Sequence, residues 1–457
     1  MSNFVCSACE SLYKIILKFF ESDENKGQLP IQNLNIFFDK TCKGFLHSFG
    51  HNLKLKSNFE IHKNVKAEII QTCKQSGFMG KDGKYYVDSG GFQVSMGVLD
   101  PYRSDLLFKY YYEFLEQYSN VYDYAFILDL PPGPGCQYFS SFDDVYEKNL
   151  SSYQIASSFP EHIRSKIIYI HHFRTPKLWE VFNRILYENN FFNRFKYFGT
   201  GGISANMKTD IAIPFILYII PLIPLLNLCK QYNRKDIEFH ILGGSGFRDV
   251  LFYKLFSYHI KKIHNINCTI TYDSSTIFKG FMVGRILYIL DDGILKKVNI
   301  RSQYLSKYLG SEKSLMERIR HDMNTMCSEF GFEKIETDTF YGGENNSFTK
   351  EMRAYSSLYM IYMYYRMERL IDKWIPSLYN KYEMGDIEAF QNELFSITKQ
   401  LNSGKTTRKQ IFKTKSIINT LNLLKDLDND KCTYLINHHL QNDEFVDLLR
   451  PSKLLTF

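Results

Sequence analysis

Six consecutive residues, Asp88-Ser89-Gly90-Gly91-Phe92-Gln93, combine the groups that suit a planar heterocycle. Tyr85, Tyr86 and Val87 read as a short aromatic and β-branched strand, so the Asp88 carboxylate is delivered where a strand ends. The two glycines let backbone approach a ligand, Phe92 offers a flat apolar face, and Ser89 and Gln93 add polar groups. A second carboxylate, Asp273, ends the run Thr269-Ile270-Thr271-Tyr272 and is followed by Ser274, Ser275 and Thr276. A carboxylate so placed can attack an anomeric carbon and form a covalent glycosyl-enzyme that a second acceptor resolves. Glycosyl exchange needs one carboxylate to attack and another to shuttle the leaving group's proton, a division that Asp273 and Asp88 can make. The plainer readings are a solvated Asp88 before a glycine turn and Asp273 as a helix N-cap.

Positioning such groups requires strands with a common direction, and the chain supplies them in alternation with helices. Helix-like Ser104–Tyr118 precedes an apolar strand, Tyr124–Leu128, which ends at Asp129. Helix-like Ser141–Ser158 precedes Ile167–Ile170, ending at His171-His172; after Lys177–Glu188 comes Tyr197-Phe198, ending at Gly199, Gly201 and Gly202. Glu238–Leu242 ends at Gly243-Gly244, and helix-like Asp249–Tyr258 leads to Cys268–Tyr272. Six strands recur at roughly 30 to 45 residues, as βα units of a barrel of about 250 residues would. Ile31–Phe38 and the segment Gly44–Glu60 are candidate earlier strands, which brings the count to eight. The expected class is therefore α/β, a (β/α)8 TIM barrel with its chemistry at the strand C-termini. A doubly wound open sheet is the rival, and no GxGxxG follows the first strand to support it.

Residues 1–30 read as an N-terminal helical extension, with Leu12, Ile15, Ile16, Phe19 and Phe20 at helical spacing in Met1–Glu24. Residues 31–300 form the expected barrel and 301–457 a mainly helical C-terminal region. There Ser314–Phe330, Ser347–Trp374, Ile387–Leu401 and Thr407–Leu427 have helical period. Tyr355, Tyr359, Tyr362 and Tyr365 form a stripe expected to pack in a core.

With 457 residues, 44% hydrophobic and including 38 Phe and 33 Tyr, the chain can bury a large core and is not mainly disordered. A net charge of +7 permits a nucleic-acid partner without demanding one. Nine scattered cysteines lack zinc-ribbon pairing and suggest reduced thiols in a cytoplasmic setting. The start lacks a basic n-region and carries Glu10 within its apolar stretch, unlike a signal peptide. Pro214, Pro221 and Pro224 interrupt the apolar run from Ile211 to Leu228, which reads as a buried helix with its approach loop rather than a membrane span.

The string from Asp88 to Gln93 resembles the signature of the tRNA-guanine transglycosylase superfamily, enzymes that exchange guanine for a 7-deazaguanine. The resemblance covers roughly Tyr85 to Gly280 and implies roles for particular residues. Asp88 corresponds to the general acid/base, Phe92 to the base-stacking aromatic, Asp129 to the acid that reads the guanine edge, and Asp273 to the nucleophile. Gly201-Gly202-Ile203 and the stretch His240–Gly246, with Gly243 and Gly244, correspond to its glycine loops. Ser89, Gln93 and the Gly202 backbone assist at the base edge.

Three positions depart from the family pattern. Members that act on tRNA carry a cysteine-rich zinc site after the nucleophile; here Cys327 and Cys432 remain, and no metal is expected. His171-His172 stands where a Gln-Gly is usual, either as base contacts or as core histidines. A Met that closes the base pocket is replaced near Gly243. Asp-Ser-Ser at the nucleophile resembles the phage and bacterial branch that inserts 7-deazaguanines such as preQ0 into DNA. The implied partners are DNA in preference to tRNA, the free base, and an accessory protein that opens the duplex. Such an exchange implies no cofactor.

Lys405, Arg408, Lys409, Lys413 and Lys415 fall in an acid-free stretch, Ser403–Ser416, and with Lys279 are candidate phosphate contacts; a solvated basic face is the alternative. A tRNA-guanine transglycosylase and a non-catalytic nucleic-acid-binding barrel are the competing functions.

Overall fold

Eight short segments rich in β-branched and aromatic residues pair side by side in one direction and close on themselves. A computed structural model describes residues 3–7, 12, 16, 31–51, 53, 57–75, 82–133, 135–173, 175–201, 219–244, 246–274, 287–291, 294–298, 313–335, 350–401 and 409–439. The strands are β1 (Phe4–Cys6), β2 (Gly44–Ser48), β3 (Lys84–Asp88), β4 (Tyr124–Phe126), β5 (Ile167–His171), β6 (Tyr197–Thr200), β7 (Asp236–Ile241) and β8 (Asn267–Ser274). They form a closed parallel barrel in chain order, with β8 returning to β1. Helices separate the strands, so the molecule is a (β/α)8 barrel with helical additions. Because helices cover the outer face and side chains fill the lumen, a strand such as β5 is buried at all five positions. Within the lumen the Tyr86 ring lies 4.7 Å from Tyr124 and 6.0 Å from His240.

Local chemistry starts the helices where the sequence turns. Asp100 accepts the Arg103 N–H at 2.8 Å with Pro101 opening the helix Pro101–Gln117. Ser141 does the same for Phe142–Ser158, and Thr175 with Pro176 for Pro176–Glu188. In the apolar run, the described part is the helix Leu222–Gln231, which buries Leu222, Ile223, Leu225 and Leu226. Pro224 falls in its first turn, where an N–H has no intrahelical partner to lose. No helix among the described residues is long and apolar enough to cross a membrane.

Two sequence expectations are corrected. Ile31–Phe38 is not a strand but most of the helix Ile31–Thr41: Leu34, Phe37 and Phe38 are buried while Ile36 is exposed, a helical period in β-branched and aromatic residues. The first strand lies instead at Phe4–Cys6, inside the segment expected to be a helical extension, so residues 1–30 do not stand apart from the barrel. Leu12 and Ile16, further along, are helical and buried. The region after β8 also holds an antiparallel pair outside the barrel, β9 (Leu287–Asp291) with β10 (Ile294–Val298).

The C-terminal helices are Lys313–Phe330, Lys350–Glu383, Ile387–Gln400, Lys409–Asp426 and Asn429–His439. Tyr355, Tyr359, Tyr362 and Tyr365 are all buried. Lys350–Glu383 lies along the seam between β8 and β1, where Tyr364 stacks on Phe4 at 4.4 Å. One turn further, the buried Glu368 carboxylate accepts the Asn3 N–H at 3.0 and 3.1 Å and the Tyr272 hydroxyl at 2.6 Å. Glu368→Ala would orphan both donors, each worth about 1–3 kcal/mol when buried. Urea unfolding should show a loss of about 2–5 kcal/mol for Glu368→Ala and a smaller one for Glu368→Gln, which keeps an acceptor.

Candidate active site

Asp88 is the last residue of β3, in register with Ser48 at the end of β2, and Ser48 Oγ donates to Asp88 Oδ2 at 2.7 Å. The chain then turns through Gly90, whose φ of +86° is left-handed, into the short helix Gly91–Ser95. A Cβ on Gly90 would lie 2.4 Å from the Gly50 Cα, so these two backbones touch. Ser89 is fully buried, and its hydroxyl accepts the Gly91 N–H at 3.2 Å, which places it in the turn. The Gln93 amide oxygen is enclosed against Gly50 and Gly90, with no hydrogen-bond partner among the described residues. Phe92 is different: its ring is 59% exposed, available to stack.

Asp129 follows β4 and is almost wholly buried. The helix Phe142–Ser158 holds the backbone on both sides of it. Ser152 Oγ donates to the Leu128 carbonyl at 2.6 Å, while Asn149 accepts the Leu130 N–H at 2.9 Å and donates to its carbonyl at 3.0 Å. Gly91 passes so close that a Cβ there would be 2.0 Å from the Asp129 carbonyl oxygen. Asp129 Oδ2 meets His172 Nε2 at 2.5 Å.

The two histidines part company. His171 ends β5 with its ring near Trp179 and its Nε2 3.1 Å from Asn183 Oδ1, facing the helix Pro176–Glu188. Burial pushes its pKa down to about 3, so it stays neutral and serves the core. His172 is also buried, at 1% exposure, but against Asp129; neither imidazole lies on an accessible surface. Gly201 makes room for it, since a Cβ there would be 2.9 Å from His172 Cε1.

Asp273 lies within β8, opposite Val5 of β1, and is therefore a strand residue rather than a helix N-cap. Its Oδ1 accepts the Gly243 N–H at 2.7 Å, from a turn in which Gly243 has φ +76°. His240 Nε2 stands 3.5 Å from the same oxygen, and its Nδ1 pairs with Thr271 Oγ1 at 2.9 Å. Gly244 packs on Tyr253, whose hydroxyl would be 2.6 Å from a Cβ there.

The barrel thus collects Asp88, Asp129 and Asp273 at one mouth. The Asp88 pKa is pushed up to about 6, first by burial and then by the charges of Asp129 and Asp273, against the lowering effect of the Ser48 hydrogen bond. A carboxyl poised there can both give and take a proton near neutrality. Of the other expected contacts, Gly202, Lys279, Lys405 and Arg408 lie outside the described residues, while Lys409, Lys413 and Lys415 fall on the helix Lys409–Asp426. Ser48, Gly50 and Asn149 were not singled out in the sequence; each acts across strands, and nothing local marks it. Among the described residues, no group of three or more His, Cys, Asp or Glu side chains is placed to hold a metal ion.

The raised Asp88 pKa makes a stability prediction. Folded protein holds the proton up to about pH 6, whereas the unfolded carboxyl releases it near 3.8, so ionised Asp88 weighs against the fold as pH rises through that window. Relative to wild type, Asp88→Asn should gain unfolding free energy between pH 4 and 7 and show a constant difference above it, as urea titrations at each pH would measure. No protein-family profile, no curated protein and no solved structure matches this chain.

Proposed function

We propose that the barrel is a base-exchange transglycosylase that replaces guanine in DNA with a 7-deazaguanine through a covalent glycosyl-aspartate. The observation that carries this reading is the pairing, at one mouth, of a proton-holding carboxyl, Asp88, with a second carboxylate, Asp273; the exposed Phe92 follows Asp88 by four residues. The target nucleotide is unstacked into the mouth, costing a few kcal/mol, and its base stacks on Phe92 while Asp129 reads the hydrogen-bonding edge. The Gly243 N–H holds Oδ1 of Asp273, leaving Oδ2 to attack C1′. The C1′–O bond forms as the C1′–N9 bond breaks, and Asp88 gives its proton to the departing guanine. The incoming base then loses its N9 proton to Asp88 as N9 attacks C1′ and expels the Asp273 carboxylate. The configuration at C1′ is retained, and Asp88 ends as it began. Water must be kept from C1′ in between, or hydrolysis leaves an abasic site.

The test is incorporation of labelled preQ0 or guanine by the purified protein, offered DNA and tRNA in parallel. Label should enter DNA and be absent with Asp273→Ala. Label in tRNA alone would make the protein a tRNA-guanine transglycosylase, and label retained by Asp273→Ala would remove the covalent mechanism. Phe92→Ala, which gives up one base stack of about 1–3 kcal/mol, should lower kcat/KM about 10- to 100-fold without changing the unfolding midpoint.

A further inference from the structure

Asp129 is held more completely than a base-reading carboxylate in open solvent would be. Its flanking residues are tied by Ser152 and Asn149, its carbonyl lies against Gly91, and its Oδ2 is 2.5 Å from His172 Nε2. His172 itself is wedged between the Phe182 ring, 5.0 Å away, and Gly201, where a Cβ would lie 2.9 Å from the imidazole and force it to shift. Among the described residues its buried Nδ1 has no hydrogen-bond partner, and the ring's polar engagement is with Asp129.

We infer that His172 is a positioning residue that sets base selectivity: it fixes the plane of the Asp129 carboxylate so that its remaining lone pairs meet two adjacent N–H donors on a base. This rests on the transglycosylase reading, in which Asp129 reads the N1–H and 2-amino edge of guanine. An imidazole that donates Nε2–H to Oδ2 of a carboxylate leaves Oδ1 and one side of Oδ2 free to accept. A base lacking the 2-amino group leaves one of those lone pairs buried and unpaired, which a hydrogen-bonding site rejects far more strongly than an apolar pocket rejects a missing methylene. Without His172 the carboxylate can rotate, and the two-donor edge loses its advantage.

The experiment compares calorimetric binding of 7-deazaguanine and 7-deazahypoxanthine, which lacks the 2-amino group, to the full chain without nucleic acid. Wild type should prefer 7-deazaguanine by at least about tenfold. In His172→Ala the preference should fall below about twofold, and His172→Gln, which keeps a donor for Asp129, should restore most of it. Gly201→Ala, which crowds the imidazole, should give an intermediate ratio and keeps the test decisive if His172→Ala does not fold. An unchanged ratio in His172→Ala, or in Gly201→Ala where that variant alone is folded, overturns the inference and leaves the transglycosylase reading standing. Failure of wild type to bind either base overturns that reading, and the selectivity role with it.

Discussion

Three carboxylates brought to one barrel mouth repel one another, and much of the architecture around them answers that constraint. Each receives a donor from a neighbouring element: Ser48 for Asp88, His172 for Asp129, the Gly243 N–H for Asp273. The remaining imbalance appears as the raised proton affinity of Asp88, where burial and two negative neighbours outweigh the Ser48 hydroxyl and the Gly90 backbone hydrogen bond. In a shared, poorly solvated space like charges strengthen the hold of a buried carboxyl on its proton, which is how one of a set of chemically equal side chains acquires a duty of its own.

The donors come from different strands, so the site is only as well defined as the barrel is closed. β1 contributes three residues between β2 and β8, and a short strand is a weak lock on its own. Glu368 and Tyr364, on the helix Lys350–Glu383, reinforce it from outside. The C-terminal helices are therefore part of what holds β8, and with it Asp273, in register. Their tyrosines read as core in the sequence and are core in the structure, because a stripe at helical spacing describes a face regardless of what covers it.

The later six strands were legible because each is a buried β-branched or aromatic run ending in Asp, His-His or Gly-Gly, and a parallel barrel places such ends together. Asp88, Asp129 and Asp273 follow from that placement alone. The beginning of the chain was misread for a physical reason. Ile31, Phe37 and Phe38 are strand formers by type, but with Leu34 they fall at helical spacing, and spacing prevailed; Phe4–Cys6 is too short to show any period. His171 and His172 could not be told apart in sequence: β5 ends between them, and nothing local says which imidazole faces the helix Pro176–Glu188 and which faces Asp129. Ser48, Asn149 and Gly50 act only through neighbours distant in sequence, and those contacts become visible once the register is known.

The link between Asn3 and Glu368 spans 365 residues. At ribosomal speeds of about 5–20 residues per second, β8, which closes the barrel onto β1, is complete roughly fifteen to fifty-five seconds after β1, and Glu368 follows about five to twenty seconds later. Until β8 is made, the earlier strands can pair only as an open parallel sheet with a bare edge, an arrangement prone to pair with another chain. Yield on production should therefore depend on temperature and chaperone supply more than the stability of the finished barrel would suggest, and crowding of nascent copies on one message is where losses would begin.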